Sequence, residues 1–240
     1  MRSFLDALLG VLLAPRCAAC TAPLERPTLG PVCTACWNSI LPLTPPLCDC
    51  CGDPLLSWRK EAGGCVCERC EGSSSLISRS RAIGSYDGSL RAILHAFKYG
   101  GCRSLAPGLG ERLSAAAVDI LGDADVTVPV PLHYRKERQR GFNQARELAA
   151  AMGLPVLDIL RRTRATPSQT GLPALERITN MKGAFALRRG TDAAGLRVVL
   201  VDDVSTTGAT MDACAQVLRA GGASDVSGVT AARVVFRRSG

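Results

Sequence analysis

Ten of the twelve cysteines lie between Cys17 and Cys70, and eight of those ten form four Cys-x2-Cys pairs. Cys17/Cys20 and Cys33/Cys36 are separated by twelve residues, Cys48/Cys51 and Cys67/Cys70 by fifteen. Each pair can bend as a knuckle that aims two sulfurs at one ion, and two knuckles complete a tetrahedron. The spacing therefore predicts two structural zinc ions, one on Cys17, Cys20, Cys33 and Cys36, the other on Cys48, Cys51, Cys67 and Cys70. Cys50 and Cys65 are left over, so an exchange of ligand within Cys48/Cys50/Cys51 or Cys65/Cys67 stays open. The competing reading, a disulfide framework, requires an oxidising compartment and hence an export signal. Between the cysteines the chain is rich in Pro, Gly and short polar residues, too poor for a hydrophobic core, so the metal must supply the folding free energy.

The N-terminal run does not read as such a signal. Asp6 interrupts its apolar residues, and Arg16 just ahead of Cys17 fits neither a small-residue nor a lipoprotein cleavage site. Phe4, Leu5, Leu8, Leu9 and Leu12 recur at helical spacing, which predicts a short amphipathic helix lying on another surface. No stretch approaches the roughly 18 uninterrupted apolar residues of a membrane helix. The expectation is a cytoplasmic protein without membrane insertion.

Charge divides the chain in the same place as cysteine does. Residues 1–80 carry seven basic and seven acidic groups, whereas residues 81–240 carry 22 against 14, the whole of the net +8. Attraction for a polyanion must come mainly from the second part. The near-neutral cysteine segment, with only Trp37 and Trp58 as aromatic platforms, is a poor nucleic-acid reader by itself.

A Gly/Ser-rich passage at residues 71–80 separates the two parts, giving a cysteine module over 1–75 and a second domain over 80–240. In the second domain, Leu90, Ile93, Leu94 and Phe97 mark an amphipathic helix ended by Gly100 and Gly101. Apolar runs suited to buried parallel strands stand at 126–130, 156–160, 198–201 and 226–230, with helical segments at 145–152 and 209–220. Such alternation predicts an α/β domain, a parallel sheet with helices on both faces. That domain should stand on its own core and survive the loss of Cys17 or Cys67.

Ligands of such sheets bind beyond the carboxyl ends of the strands. Residues 198–210 read as four apolar strand residues, then Asp202 and Asp203 at the tip, then Ser205, Thr206, Thr207, Gly208, Ala209 and Thr210 opening a helix. Exposed N–H groups and hydroxyls of that turn can hold a phosphate, while the paired carboxylates suit vicinal sugar hydroxyls and a magnesium ion. One segment thus has places for a ribose and its 5′-phosphate. Arg135, Lys136, Arg138 and Arg140 form one basic cluster and Arg161, Arg162 and Arg164 another, both able to make charge-assisted hydrogen bonds to a polyphosphate. His133 reads either as a proton donor or as a hydrogen-bonding loop residue, and His95 as structural.

Residues 198–210 resemble the phosphoribosyl pyrophosphate (PRPP) motif of type I phosphoribosyltransferases. Further segments narrow the resemblance to the ComF family, which joins such a domain to an N-terminal double zinc ribbon: Phe97-Lys98-Tyr99-Gly100-Gly101, the run from Val128 to His133, Arg138-x-Arg140-Gly141-Phe142-Asn143-Gln144, and Gln169, Leu172, Arg177, Asn180 and Phe185. The resemblance implies that Asp202 and Asp203 take ribose hydroxyls, with Mg2+ accompanying PRPP, and that Ser205 to Thr210 take the 5′-phosphate. It further implies that Pro131, Leu132, His133, Arg135, Arg138 and Arg140 face the pyrophosphate and that residues 164–182 close over it. Three functions follow: handling single-stranded DNA during DNA uptake beside other competence proteins, transfer of phosphoribose to an unknown acceptor, or PRPP sensing by an adaptor. Thr206 stands where purine-salvage members often carry an Asp, which places this chain outside that subclass.

Overall fold

A computed structural model describes residues 4–55, 65–72, 75–164 and 183–235. Trp58, Gln169, Leu172, Arg177, Asn180 and all but the first residue of the loop expected at 164–182 lie outside them. The elements run α1 Phe4–Leu13, α2 Thr34–Asn38, β1 Ser80–Ser85, α3 Gly88–Tyr99, α4 Ala106–Ala116, α5 Val118–Leu121, β2 Val126–Pro129, α6 Tyr134–Arg140, α7 Gln144–Ala150, β3 Leu160–Arg162, β4 Phe185–Leu187, β5 Arg197–Ser205, α8 Ala209–Ala220 and β6 Asp225–Arg233.

Four strands form a sheet in the order β1-β6-β5-β2, every neighbour parallel, with Val126 opposite Val198 and Val198 opposite Val226. The period of two along β5 feeds two cores. Val199 and Val201 point to one face, with α3, α4 and α7; Val198 and Leu200 point to the other, with α8 and the β3–β4 hairpin. The chain is an α/β protein with helices on both faces of a parallel sheet. Leu90, Ile93, Leu94 and Phe97 are fully buried, as the helical spacing requires.

Three expectations change. The run at 156–160 is not a full strand: Val156 makes a single parallel bridge to Thr127, and the chain then leaves so that Leu160–Arg162 can pair antiparallel with Phe185–Leu187. Helix α1 does not lay its apolar stripe on the other described residues. Phe4 is 86% and Leu12 68% exposed, while its one buried residue is Asp6, whose carboxylate accepts from Thr28 N at 3.1 Å and Thr28 Oγ1 at 2.6 Å. Finally, the cysteine segment is not apart from the sheet. Cys17, Val32 and Cys36 belong to the same buried cluster as α3 and α4. The exposed edge of β1 is covered by it too, with Ser85 N donating to Leu41 O and Ser80 N to Asp49 O. A side chain on Gly84 would put its Cβ 2.3 Å from Leu41 O, so only glycine allows that approach. The Gly/Ser passage is built in as well: Ile77 is buried, and Ser75 Oγ donates to Asp212 at 2.6 Å.

Among the described residues no helix is long and apolar enough to cross a membrane.

Candidate functional site

The eight paired cysteines gather into two tetrads, Cys17, Cys20, Cys33 and Cys36 in one and Cys48, Cys51, Cys67 and Cys70 in the other, with sulfurs within 4.8 Å of one another. Cys50 and Cys65 stay outside both. Zinc–sulfur bonds of about 2.3 Å at tetrahedral angles separate sulfurs by roughly 3.8 Å. The measured separations are 3.9 Å for Cys17–Cys36, 3.8 Å for Cys20–Cys33 and 3.7 Å for Cys51–Cys67, so the donor set fits zinc.

One backbone plan serves both tetrads. Cys17 N donates to Ala22 O, Thr21 N to Cys17 O and Leu24 N to Pro15 O; around the second tetrad Cys48 N donates to Asp53 O, Gly52 N to Cys48 O and Leu55 N to Pro46 O. Thr21 and Gly52 occupy equivalent left-handed positions, at φ 61° and 75°. Cys33 N reaches Cys17 Sγ at 3.4 Å, and Cys67 N reaches Cys48 Sγ at 3.3 Å. Burial raises the Cys17 thiol, but the N–H donors of Cys33, Cys20 and Ala19 outweigh it and bring it down to about 6. Cys48 comes down to about 6 as well, chiefly through a hydrogen bond from Cys51. Cys36 is pushed up in turn by burial and its neighbouring sulfurs, and Cys51 by the Cys48 sulfur and burial, so each tetrad must shed protons as it takes up a metal.

The second constellation lies at the carboxyl end of the sheet. Strand β5 continues to Ser205, with Asp202 opposite Thr230 of β6, so the acid pair sits within the strand rather than past its tip. Asp203 Oδ2 is 3.0 Å from Lys98 Nζ, and both side chains are largely buried, 14% and 13% exposed. Asp202 accepts from Asp203 N at 2.8 Å. Burial, then the Asp203 charge, push the Asp202 carboxyl up to about 7, while Lys98 and Arg162 oppose the rise. Beyond the pair, Gly208 takes φ 86° and opens α8, a turn that a side chain would strain, and Thr207 Oγ1 accepts from Ala209 N at 3.4 Å. Thr206, Thr207 and Thr210 are half-buried around the start of α8.

The basic residues divide. Pro131 and Leu132 continue from β2, and His133 caps α6, its Nδ1 accepting from Arg135 N at 3.4 Å, so His133 has the loop hydrogen bond of its second reading. Arg135 and Arg138 are exposed, the former bonded to Tyr134 Oη at 3.0 Å. Arg140 turns inward, donating to Gln144 Oε1 at 2.9 Å and lying over the Tyr99 ring at 5.2 Å. Burial, then the charges of Arg162 and Arg140, lower Lys136. Burial lowers Arg162, against the charges of Cys214 and Asp202. Strand alternation sends Arg161 the other way, exposed and donating to Leu187 O. His95 is exposed and stacked on Tyr99 with centroids 4.8 Å apart.

Carboxylates, hydroxyls and N–H groups at one strand end, with Lys98 beside them, can receive a sugar diol and phosphate charge at once. Sequence reasoning missed Lys98 as a site residue, although it stands in the quoted Phe97-Lys98-Tyr99 segment, because its partner lies 105 positions away. It missed Asp53 and Arg233 altogether. Arg233 Nε bonds Asp53 Oδ1 and its Nη1 bonds Ser205 Oγ at 3.0 Å, linking the second tetrad to the hydroxyl turn.

A double zinc ribbon domain model matches residues 8–72, and a phosphoribosyl transferase domain model matches residues 138–240. Fold and matches together define the class: a double zinc ribbon joined to a phosphoribosyl transferase domain. The chain is 30% identical over 222 residues to competence protein F of Haemophilus influenzae, covering 88% of this chain and 93% of that protein. It is 29% identical over 210 residues to competence protein ComFC of Bacillus subtilis, covering 84% of each. To the DNA utilization protein YhgH of Salmonella typhimurium it is 32% identical over 220 residues, 88% of this chain and 93% of that one. The chain belongs to the ComF family of competence proteins.

Proposed function

We propose that this protein handles single-stranded DNA during DNA uptake, in the cytoplasm, and that the site at the carboxyl end of its sheet binds PRPP or a related phosphorylated ribose. On this reading residues 1–75 form the ribbon module and residues 80–240 the ligand domain. Asp202 and Asp203 take the ribose hydroxyls, Ser205, Thr206, Thr207, Gly208, Ala209 and Thr210 the 5′-phosphate, and the loop from Pro131 to Arg140 the pyrophosphate. A magnesium ion arriving with the ligand fits the hard oxygens of the acid pair and would neutralise pyrophosphate charge.

The observation that carries the reading is the buried Lys98–Asp203 ion pair beside Asp202 at the end of β5, with the hydroxyl turn opening α8 directly after it. Asp202 near the point of half-protonation can lose its proton when a cation or sugar hydroxyl arrives. For DNA, Arg135 and Arg138 stand exposed on α6, and the net +8 lies entirely on this side of residue 80. The names of the relatives, competence and DNA utilization proteins, point the same way.

Single-stranded DNA binding would be followed across a salt series for wild type and Arg135→Ala/Arg138→Ala. Each lost phosphate contact flattens the slope of log K against log salt by about 0.7, so the double variant should lose roughly 1.4. An unchanged slope would move DNA off this face. Release of pyrophosphate on mixing the protein with Mg-PRPP and a panel of nucleobases would instead establish phosphoribosyl transfer as the activity.

A further inference from the structure

Arg233 is the last residue of β6, and its side chain is 4% exposed. Its backbone is fixed from both sides: Arg233 O accepts from Tyr86 N at 2.7 Å, and the next residue, Val234, donates its N–H to Ser205 O at 2.9 Å. In register it lies opposite Ser205 of β5 and Ser85 of β1. A guanidinium buried at this position persists only if it is paired and hydrogen-bonded. Nε bonds Asp53 Oδ1, Nη1 donates to Ser205 Oγ, and Nη2 is buried with no hydrogen-bond partner among the described residues.

Both partners bear on function. Ser205 is the first hydroxyl of the turn that precedes α8. Its oxygen accepts from Arg233, so its own proton must point elsewhere, toward the rest of the turn or a ligand. Asp53 closes the knuckle of the second tetrad: its carbonyl accepts from Cys48 N at 2.8 Å. Its carboxylate also binds Arg69 Nη2 at 2.6 Å, and the same Nη2 lies 3.4 Å from Cys51 Sγ. An unbroken series of hydrogen bonds therefore runs from Cys51 through Arg69, Asp53 and Arg233 to Ser205.

We propose that Arg233 is a positioning residue for the hydroxyl turn, held in place by the second cysteine tetrad through Asp53, so that metal in that tetrad sets the shape of the phosphate site. This gives the second ribbon a role beyond folding. The inference rests on the reading of the turn as a phosphate site for its functional meaning, but its structural content is tested without any ligand.

Hydrogen exchange would be followed by mass spectrometry on the zinc-loaded full chain, comparing peptides over 205–210 with a reference peptide over 88–99. Arg233→Met, Asp53→Asn and Cys70→Ser should each speed exchange at 205–210 by about tenfold, the effect of one lost hydrogen bond to a charged group on a local opening. The reference peptide should speed up less than 205–210 in every variant. Asp53→Asn/Cys70→Ser should be no faster than either single change, because both cut one path. Asp49→Asn is the control: Asp49 sits on the same knuckle but faces Arg79 and Arg81, and its loss should leave the turn unchanged. Unchanged exchange at 205–210 in Arg233→Met and Asp53→Asn would overturn the proposal. So would equal acceleration of the reference peptide in every variant, which would mark a merely structural arginine. Absence of Mg-PRPP binding by wild type would refute the phosphate reading alone and leave the exchange result to decide the coupling.

Discussion

The two cysteine tetrads share a backbone plan, hydrogen bond for hydrogen bond, yet they are attached to the sheet by different physics. The first is docked by apolar packing: Cys17 and Cys36 are 1% and 7% exposed within the core that holds Leu90, Phe97 and Leu109, and Trp37 lies against Gly108 and under Arg112. The second is docked by charge, through Asp53 to the buried Arg233 and through Asp49 to Arg79 and Arg81. A repeated unit can thus serve as part of the core in one copy and as a polar clamp in the other. What decides is the surface it meets: helices α3 and α4 for the first, strand ends and their arginines for the second.

The largest effect should separate the two tetrads outright. Cys17→Ser removes a metal ligand that is also a core residue, so it should lower protection against hydrogen exchange across α3 and α4 and cost one zinc ion per chain. Cys67→Ser should cost one zinc ion as well but leave α3 protected. Metal content by mass spectrometry with exchange on the same samples checks both, and equal loss of protection in the two variants would erase the distinction.

Within the second tetrad, the two charged attachments should differ in turn. Asp53→Ala leaves Arg233 buried without its carboxylate, a loss on the order of 3–5 kcal/mol in unfolding free energy. Asp49 and its partners are partly exposed, and Asp49→Ala should cost no more than about 1 kcal/mol, less at high salt. Denaturant titrations at two salt concentrations would measure this, and similar losses for both would mean that burial of Arg233 is not what matters.

These contrasts also mark where the sequence is legible. Cys-x2-Cys spacing is local chemistry, so both tetrads follow from it, whereas the exclusion of Cys50 and Cys65, which spacing left open, is decided only by the fold. Strand β5, helix α8 and the turn between them are equally local: an apolar run, two acids and a hydroxyl-rich stretch with one glycine. Lys98–Asp203 and Arg233–Ser205 are not, because each joins residues that only the sheet topology brings together. Arg161 and Arg162 look identical in a charge count, and strand alternation alone decides that Arg162 packs over the Phe185 ring while Arg161 faces solvent. The stripe on α1 misled for a related reason: helical periodicity identifies an apolar face but not what covers it, and here the buried residue is Asp6.

A further effect concerns pH. The folded-state pKa of Asp202 is raised from its ordinary value to about 7, mainly by burial. The native state therefore holds that proton when the unfolded chain has released it, and stability present below about pH 4 is lost as pH rises toward 7. Asp202→Asn cannot ionise, so its unfolding free energy should fall less than wild type between pH 5 and pH 8, by about 1 kcal/mol or more. Parallel pH profiles would place the acid pair in a more solvated setting than the structure shows.

The central claim is that the acid pair and hydroxyl turn form a working site for a phosphorylated ribose. Calorimetric titration of wild type, Asp203→Ala and Thr207→Val with Mg-PRPP tests it most directly. Each substitution removes a hydrogen bond to a charged or hydroxylated ligand, worth roughly 1.5–3 kcal/mol, so affinity should fall by about tenfold or more in both variants. Equal affinity in all three proteins, or no heat of binding in wild type, would contradict the account.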